Sequence, residues 1–178
     1  MPEATEISLA AVYSAQAMGF RMSVFDFDQQ HAHGQRGEDY LDAFFEARGH
    51  TIYPATRSQQ RQGIDRIFRK DGKRAAVEYK TDFVAHQTGH IFVETISVDA
   101  DDKAGWAYTS QATMLVYFIP GLNTIFVMPL DRLREQLPDW CDNYPTRPAQ
   151  NQGYSTHGVL VPIDEFEHYA SQILHPDQ

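Results

Sequence analysis

Three residues in the middle of the chain, Asp65, Glu78 and Lys80, have the types and spacing for metal-dependent phosphate chemistry. They flank Lys70-Asp71-Gly72-Lys73, where an Asp-Gly pair between two β-rich runs predicts a hairpin with a two-residue loop. Such a loop sets Lys70 against Lys73. Counting back along both strands, it sets Asp65 against Glu78, with the side chains on one face roughly 5 Å apart. Like charges so placed repel, and a cation between them removes the conflict. Lys80, two residues past Glu78, points to the same face about 6.6 Å further along. Two carboxylates and an amine on one patch of sheet outline a metal-dependent hydrolase.

The residues around this triad extend the pattern. Upstream lies Gly37-Glu38-Asp39-Tyr40-Leu41-Asp42-Ala43-Phe44-Phe45, a helix with an acid in its first turn. Downstream, Glu78-Tyr79-Lys80-Thr81-Asp82 is followed by Thr88-Gly89-His90-Ile91-Phe92-Val93-Glu94, then Gly105-Trp106 and Thr109-Ser110-Gln111-Ala112 before an apolar strand. The order resembles the PD-(D/E)XK nuclease superfamily, and within it a phage-type branch. His90 stands where that branch usually has Asn, and Ile64 where the signature has Pro.

The resemblance covers about residues 36–130. It implies an α/β fold with a restriction-endonuclease-like core, a central mixed β-sheet flanked by helices. The implied activity is hydrolysis of DNA phosphodiester bonds with Mg²⁺ or Mn²⁺, in mobile-element or phage DNA processing. Asp65, Glu78 and the main-chain carbonyl of Tyr79 would supply hard oxygen ligands. Lys80 would orient the attacking water and offset charge on the phosphate, and Glu38 would be an auxiliary acid. Thr81, Thr88, Arg61 and Arg66 are candidates for holding the substrate, with Asp82 and His90 beside them. The Thr88-Gly89 turn would offer N–H groups to a phosphate. A homodimer is common in such enzymes, and nothing in the sequence specifies its interface.

Bulk properties fit a small enzyme. With 178 residues and 42% hydrophobic content, one nuclease-like domain over 1–178 is expected, its core carrying N- and C-terminal helical additions. The single cysteine, Cys141, excludes an internal disulfide and points to a reducing, cytoplasmic setting. No apolar run reaches membrane-spanning length. A net charge of −9 is unusual for a DNA-binding protein, since phosphate contacts normally supply much of the affinity. The distribution is uneven, however. Arg57, Arg61, Arg66, Arg69, Lys70, Lys73 and Arg74 crowd around the triad. They would serve either as an electrostatic footprint or as charges that discourage edge-to-edge strand pairing.

The elements that must position these residues follow from periodicity. A short helix is expected over 4–18, a loop or short strand over 22–33, and a helix over 36–48 whose apolar stripe is Leu41, Phe44 and Phe45, with Gly49 as its stop. On that helix Glu38 shares a side with Leu41 and Phe45, whereas Asp39 and Asp42 read as solvated. Strands are expected at 50–54, 63–70, 73–81, 90–98, 113–119 and 124–128, the last two joined by the turn Pro120-Gly121-Leu122-Asn123. Asp131 would cap a helix through Leu137, residues 138–153 would be a long loop, and a strand at 158–163 would lead to a helix at 165–174 capped by Asp164. Gly63 would face Lys80 across the strands and leave space above it. Glu94, alternating with Phe92 and Ile96, needs a partner on a buried face and would either approach the metal region or pair with Lys103 or an arginine.

Other chemistries are poorly supported. His31, His33, His50, His86 and His90 show no recognised zinc spacing, and there is no Gly-rich phosphate loop. Tyr53, Trp106, Tyr108 and Trp140 would stack on exposed bases or fill the core. The alternative to an enzyme is a non-catalytic DNA-binding or protein-interaction module on the same fold.

Overall fold

The structure is a computed structural model that describes residues 24–98, 103–150 and 155–176, with side chains from residue 34 onward except Gln150. The helix expected over 4–18 lies outside the described residues. In chain order the elements are α1 (Val24–Glu46), β1 (Thr51–Pro54), α2 (Arg57–Gln60), β2 (Arg66–Lys70), β3 (Lys73–Thr81), α3 (Ala85–Thr88), β4 (His90–Val98), β5 (Lys103–Ala104) and α4 (Trp106–Thr109). They continue with β6 (Met114–Ile119), β7 (Thr124–Pro129), α5 (Leu130–Asn143), β8 (Thr146–Gln150), β9 (Ser155–Pro162), α6 (Ile163–Tyr169) and β10 (Gln172–Leu174). The described residues form an α/β protein with a six-strand mixed sheet and a four-strand antiparallel sheet.

The hairpin that organises the first sheet follows from its loop. Asp71 and Gly72 both take left-handed backbone, φ 49° and 73°, as a two-residue hairpin loop requires. Lys70 therefore faces Lys73 and Arg66 faces Val77, the register expected from the sequence. β1 pairs with β2 on the outer side, and β3 runs parallel to β6, with Glu78 beside Leu115 and Lys80 beside Tyr117. The sheet order is β1-β2-β3-β6-β7-β10, so β3 and β6 lie at its centre. The second sheet has the order β5-β4-β9-β8.

Strand alternation assigns the two faces of the central sheet. Phe68, Val77, Tyr79, Val116 and Phe118 pack with Leu41, Phe44 and Phe45 of α1 on one side. Ile67, Leu115, Tyr117 and Met128 turn to the other side and share a cluster with Ile91, Val93, Val159 and Val161 of the second sheet and with Trp140 and Phe166. On this division Glu78 and Lys80 face the second sheet, whereas Tyr79 faces α1.

Several expectations are corrected. The segment expected as a loop or strand over 22–33 is helical from Val24 and continuous with the next helix. The loop expected over 138–153 is partly α5, which runs through Pro138 to Asn143, and partly the edge strand β8. Buried Leu137 and Trp140 hold α5 against the core on either side of the proline, and tertiary packing outweighs the local penalty of a proline inside a helix. The last helix ends at Tyr169, and Gln172–Leu174 pairs with β7 instead. Among the described residues no helix is long and apolar enough to cross a membrane.

Candidate active site

Pairing of β2 with β3 stops at Arg66, so Asp65 is not a strand residue directly facing Glu78. Its N–H donates to the Val77 carbonyl at 2.9 Å, and its own carbonyl accepts from Ala55 N–H. The carboxylate then takes the place a main-chain acceptor would have filled: Oδ2 accepts the Tyr79 N–H at 2.8 Å. That N–H belongs to the peptide joining Glu78 to Tyr79. Asp65 is thus anchored one peptide plane from Glu78, by a side chain rather than by the ladder.

Glu78 is buried, with 3% of its surface exposed. One of its oxygens, Oε1, lies 2.7 Å from Lys80 Nζ. The other, Oε2, is buried without a hydrogen-bond partner among the described residues. An unsatisfied buried carboxylate oxygen is costly, because its lost hydration is not replaced. The Lys80 side chain keeps a third of its surface exposed and has its ammonium 5.3 Å from the Trp106 ring centroid. It is held between an acid and an indole yet remains reachable from solvent.

Glu94 completes this side. It comes from β4 of the second sheet, and its Oε1 accepts the Trp106 N–H at 3.2 Å. Burial raises its carboxyl pKa above the ordinary 4.5, and the charge of Glu78 adds to the rise, against the Trp106 hydrogen bond, the charge of Lys80 and a hydrogen bond to Ser97. Among the described residues Glu94 forms no ion pair with Lys103 or an arginine, and its carboxyl feels the charges of Lys80 and Glu78. Gly105 makes this geometry accessible: a Cβ there would lie 2.5 Å from the Glu94 carbonyl oxygen.

The sign of the Glu94 shift gives a stability prediction. A carboxyl with a raised folded-state pKa binds its proton more tightly in the native than in the unfolded chain. Stability therefore falls as pH rises from about 4.5 through the raised value, and levels off above it. In urea titrations in EDTA between pH 4 and 8, Glu94→Gln is expected to remove this part of the decline. An unchanged slope would show that the carboxyl is not held in that environment.

Glu38 lies on the opposite side of β3. Its Oε2 pairs with Arg66 Nη2 at 3.0 Å, while Arg66 Nε meets both oxygens of Asp42 at 3.0 and 2.9 Å. Asp42 also accepts the Tyr79 hydroxyl proton at 2.9 Å. The expectation that Asp42 is solvated is corrected: it lies one turn beyond Glu38, on the same face of α1. Burial raises the Glu38 pKa, opposed by Arg66 and assisted by Asp65 and Asp42. For Arg66, burial disfavours the cation, but Asp42 and Glu38 outweigh it and the guanidinium pKa rises.

The remaining candidates divide by accessibility. Arg66 is buried and fully engaged. Arg61 is exposed at the C-terminal end of α2. Thr81 packs against Gly37 of α1, where a Cβ would fall 2.2 Å from its hydroxyl. Thr88 is exposed on α3, but the expected N–H groups are taken: Thr88 N–H donates to Val84 and Gly89 N–H to Ala85. Gly63 does not leave space above Lys80; its carbonyl accepts from Ser110, whose atoms lie 2.9 Å from where a Gly63 Cβ would be. Asp82 is occupied locally, accepting from Val84 and Ala85 N–H and from the Tyr117 hydroxyl.

Among the described residues no group of three or more His, Cys, Asp or Glu side chains gathers as a metal cage. The donors that fit a hard divalent cation are fewer: the unpartnered Glu78 Oε2 and the Asp65 carboxylate bound to the adjacent peptide. In comparisons with known proteins, no family model matches this chain, and neither does any curated protein or solved structure.

Proposed function

We propose that this chain is a Mg²⁺-dependent nuclease that hydrolyses DNA phosphodiester bonds, on a restriction-endonuclease-like core of the PD-(D/E)XK kind. The observation that carries the reading is Glu78. A buried carboxylate with one oxygen on Lys80 and the other unpartnered is a costly arrangement for a merely structural residue. A divalent cation would satisfy that oxygen, with Asp65 and the Tyr79 carbonyl as further donors. Bound there, it would polarise the phosphate and activate water.

The chain's own residues do the rest. Asp65 is pinned by the Tyr79 N–H, so its carboxylate needs no reorganisation. Glu78 fixes the Lys80 ammonium, which takes up negative charge as it builds on the phosphate. The Trp106 ring flanks the Lys80 ammonium on one side. Glu38 is tied to Arg66, within the network that orients Tyr79, and its carboxyl feels the charge of Asp65.

The test is cleavage of supercoiled, linear and single-stranded DNA in Mg²⁺ or Mn²⁺, with Lys80→Ala as comparison. Wild-type cleavage that is lost in EDTA and reduced about 100-fold or more by Lys80→Ala is the expected result. No cleavage of any substrate would leave the non-catalytic DNA-binding module in its place.

A further inference from the structure

The face of the central sheet that carries Glu78 and Lys80 does not end where the second sheet stops covering it. Arg74 is two and three alternations back along β3 from Glu78 and Lys80, and its cross-strand partner is Arg69. Tyr53 of β1, opposite Ile67, lies on the same face. All three are exposed, Tyr53 at 45%. The Arg69 guanidinium lies over the Tyr53 ring, 5.3 Å from its centroid. Among the described residues neither Arg69 nor Arg74 forms a salt bridge. On a chain of net charge −9, two guanidinium groups without acidic partners beside an exposed aromatic ring, in line with the acid–lysine pair, form a local exception.

We infer that Tyr53, Arg69 and Arg74 form the track for a single strand of DNA leading to Glu78 and Lys80. Cations without acidic partners are complementary to phosphate, and a flat ring accepts an unpaired base on its face. Four residue steps of strand lead from Arg74 to Glu78, about 13 Å, the reach of about four stacked nucleotides at ~3.4 Å each. Base pairs in an intact duplex offer no free ring face to Tyr53, so the strand it takes is unpaired. The track replaces Arg66, which is buried, as the source of phosphate contacts. Its role as the approach to a cleavage site rests on the nuclease reading; its affinity for DNA does not.

The experiment is fluorescence anisotropy with a labelled oligo-dT in EDTA, so that binding is read without catalysis. The Arg69→Ala/Arg74→Ala variant is expected to weaken binding at least tenfold and to flatten the log–log salt dependence by about 1.4, for two phosphate contacts at ~0.7 each. Tyr53→Ala is expected to weaken it about tenfold with the salt slope unchanged. Arg69→Lys/Arg74→Lys should keep the slope. Equal affinity for a duplex of the same length, displacement by poly-glutamate at equal charge, or an unchanged affinity in the alanine variants would overturn the inference. If the wild type cuts DNA while these variants bind and cut normally, the track is wrong and the nuclease stands. If oligo-dT binds as expected and nothing is cut, the track stands and the nuclease fails.

Discussion

Glu78→Gln is expected to abolish the response of this protein to Mg²⁺ and to lower DNA cleavage about 10³-fold. The physical basis is the unpartnered Oε2 of Glu78, with Asp65 anchored on the N–H of the next residue. With Mg²⁺ at tenfold over its dissociation constant, binding to the native state alone adds about 1.4 kcal/mol, which for a chain of this size raises the unfolding midpoint by about 3–6 °C. The amide keeps the shape of the carboxyl but loses its charge and presents a weaker oxygen donor, so the midpoint of the variant should not move. In EDTA the variant should unfold within a few degrees of wild type, because Lys80, a third exposed, has water in place of its lost ion pair. Thermal scans with and without Mg²⁺ make the comparison. An equal Mg²⁺ shift in both proteins would remove Glu78 from the cation site.

Arg66→Ala is expected to be the most destabilising change among the charged residues on the α1 side of the sheet. Its side chain keeps only 10% of its surface exposed and compensates both Glu38 and Asp42, whose side chains keep 32% and 27% of theirs in contact with solvent. Removing one partner from a buried pair typically costs about 3–5 kcal/mol. The partial exposure of both acids places the expected loss near the lower end, about 3 kcal/mol, or roughly 6–12 °C in unfolding midpoint. Because the penalty comes from uncompensated charge, the triple change Arg66→Met, Glu38→Gln, Asp42→Asn should recover most of it, since the amide oxygen introduced by Asp42→Asn still accepts from the Tyr79 hydroxyl. Urea denaturation of both variants decides the point. A loss below about 1 kcal/mol in Arg66→Ala would mean that the network contributes little to folding.

What was legible in the sequence was legible for local reasons. The Asp-Gly loop fixes the β2–β3 register and the start of β3 through two left-handed residues, and the β-branched residues from Ile91 to Val98 mark out β4. The alternation that puts Glu78 and Lys80 on one face needs nothing else. What was missed depends on tertiary context. The first half of α1 is largely polar and has no apolar stripe to announce a helix. Pro138 reads as a stop, yet α5 passes through it because Leu137 and Trp140 are held in the core. β8 contains Pro148, which a central strand would not tolerate but an edge strand does. At the site, Asp42 was within reach: counting one helical turn from Glu38 puts both acids on one face, and buried Arg66 is the cation they share. Strand alternation puts Arg69 and Arg74 on the opposite face from Arg66, but that their end of the face stays uncovered is something no local pattern records.

The parallel pairing of β3 with β6 sets the order in which these parts can come together. The β2–β3 hairpin closes through a two-residue loop, so Asp65, Glu78 and Lys80 are brought close by contacts between near neighbours in sequence. Parallel strands cannot be joined that way. The chain from Asp82 to Thr113 must first cross over, and both Glu94 and Trp106 lie within that crossover. Contacts between distant parts of a chain form more slowly than local ones. The hairpin is therefore an early-forming unit with its charged face open, and the walls that bury Glu78 and flank Lys80 arrive only when the slow, long-range step is complete.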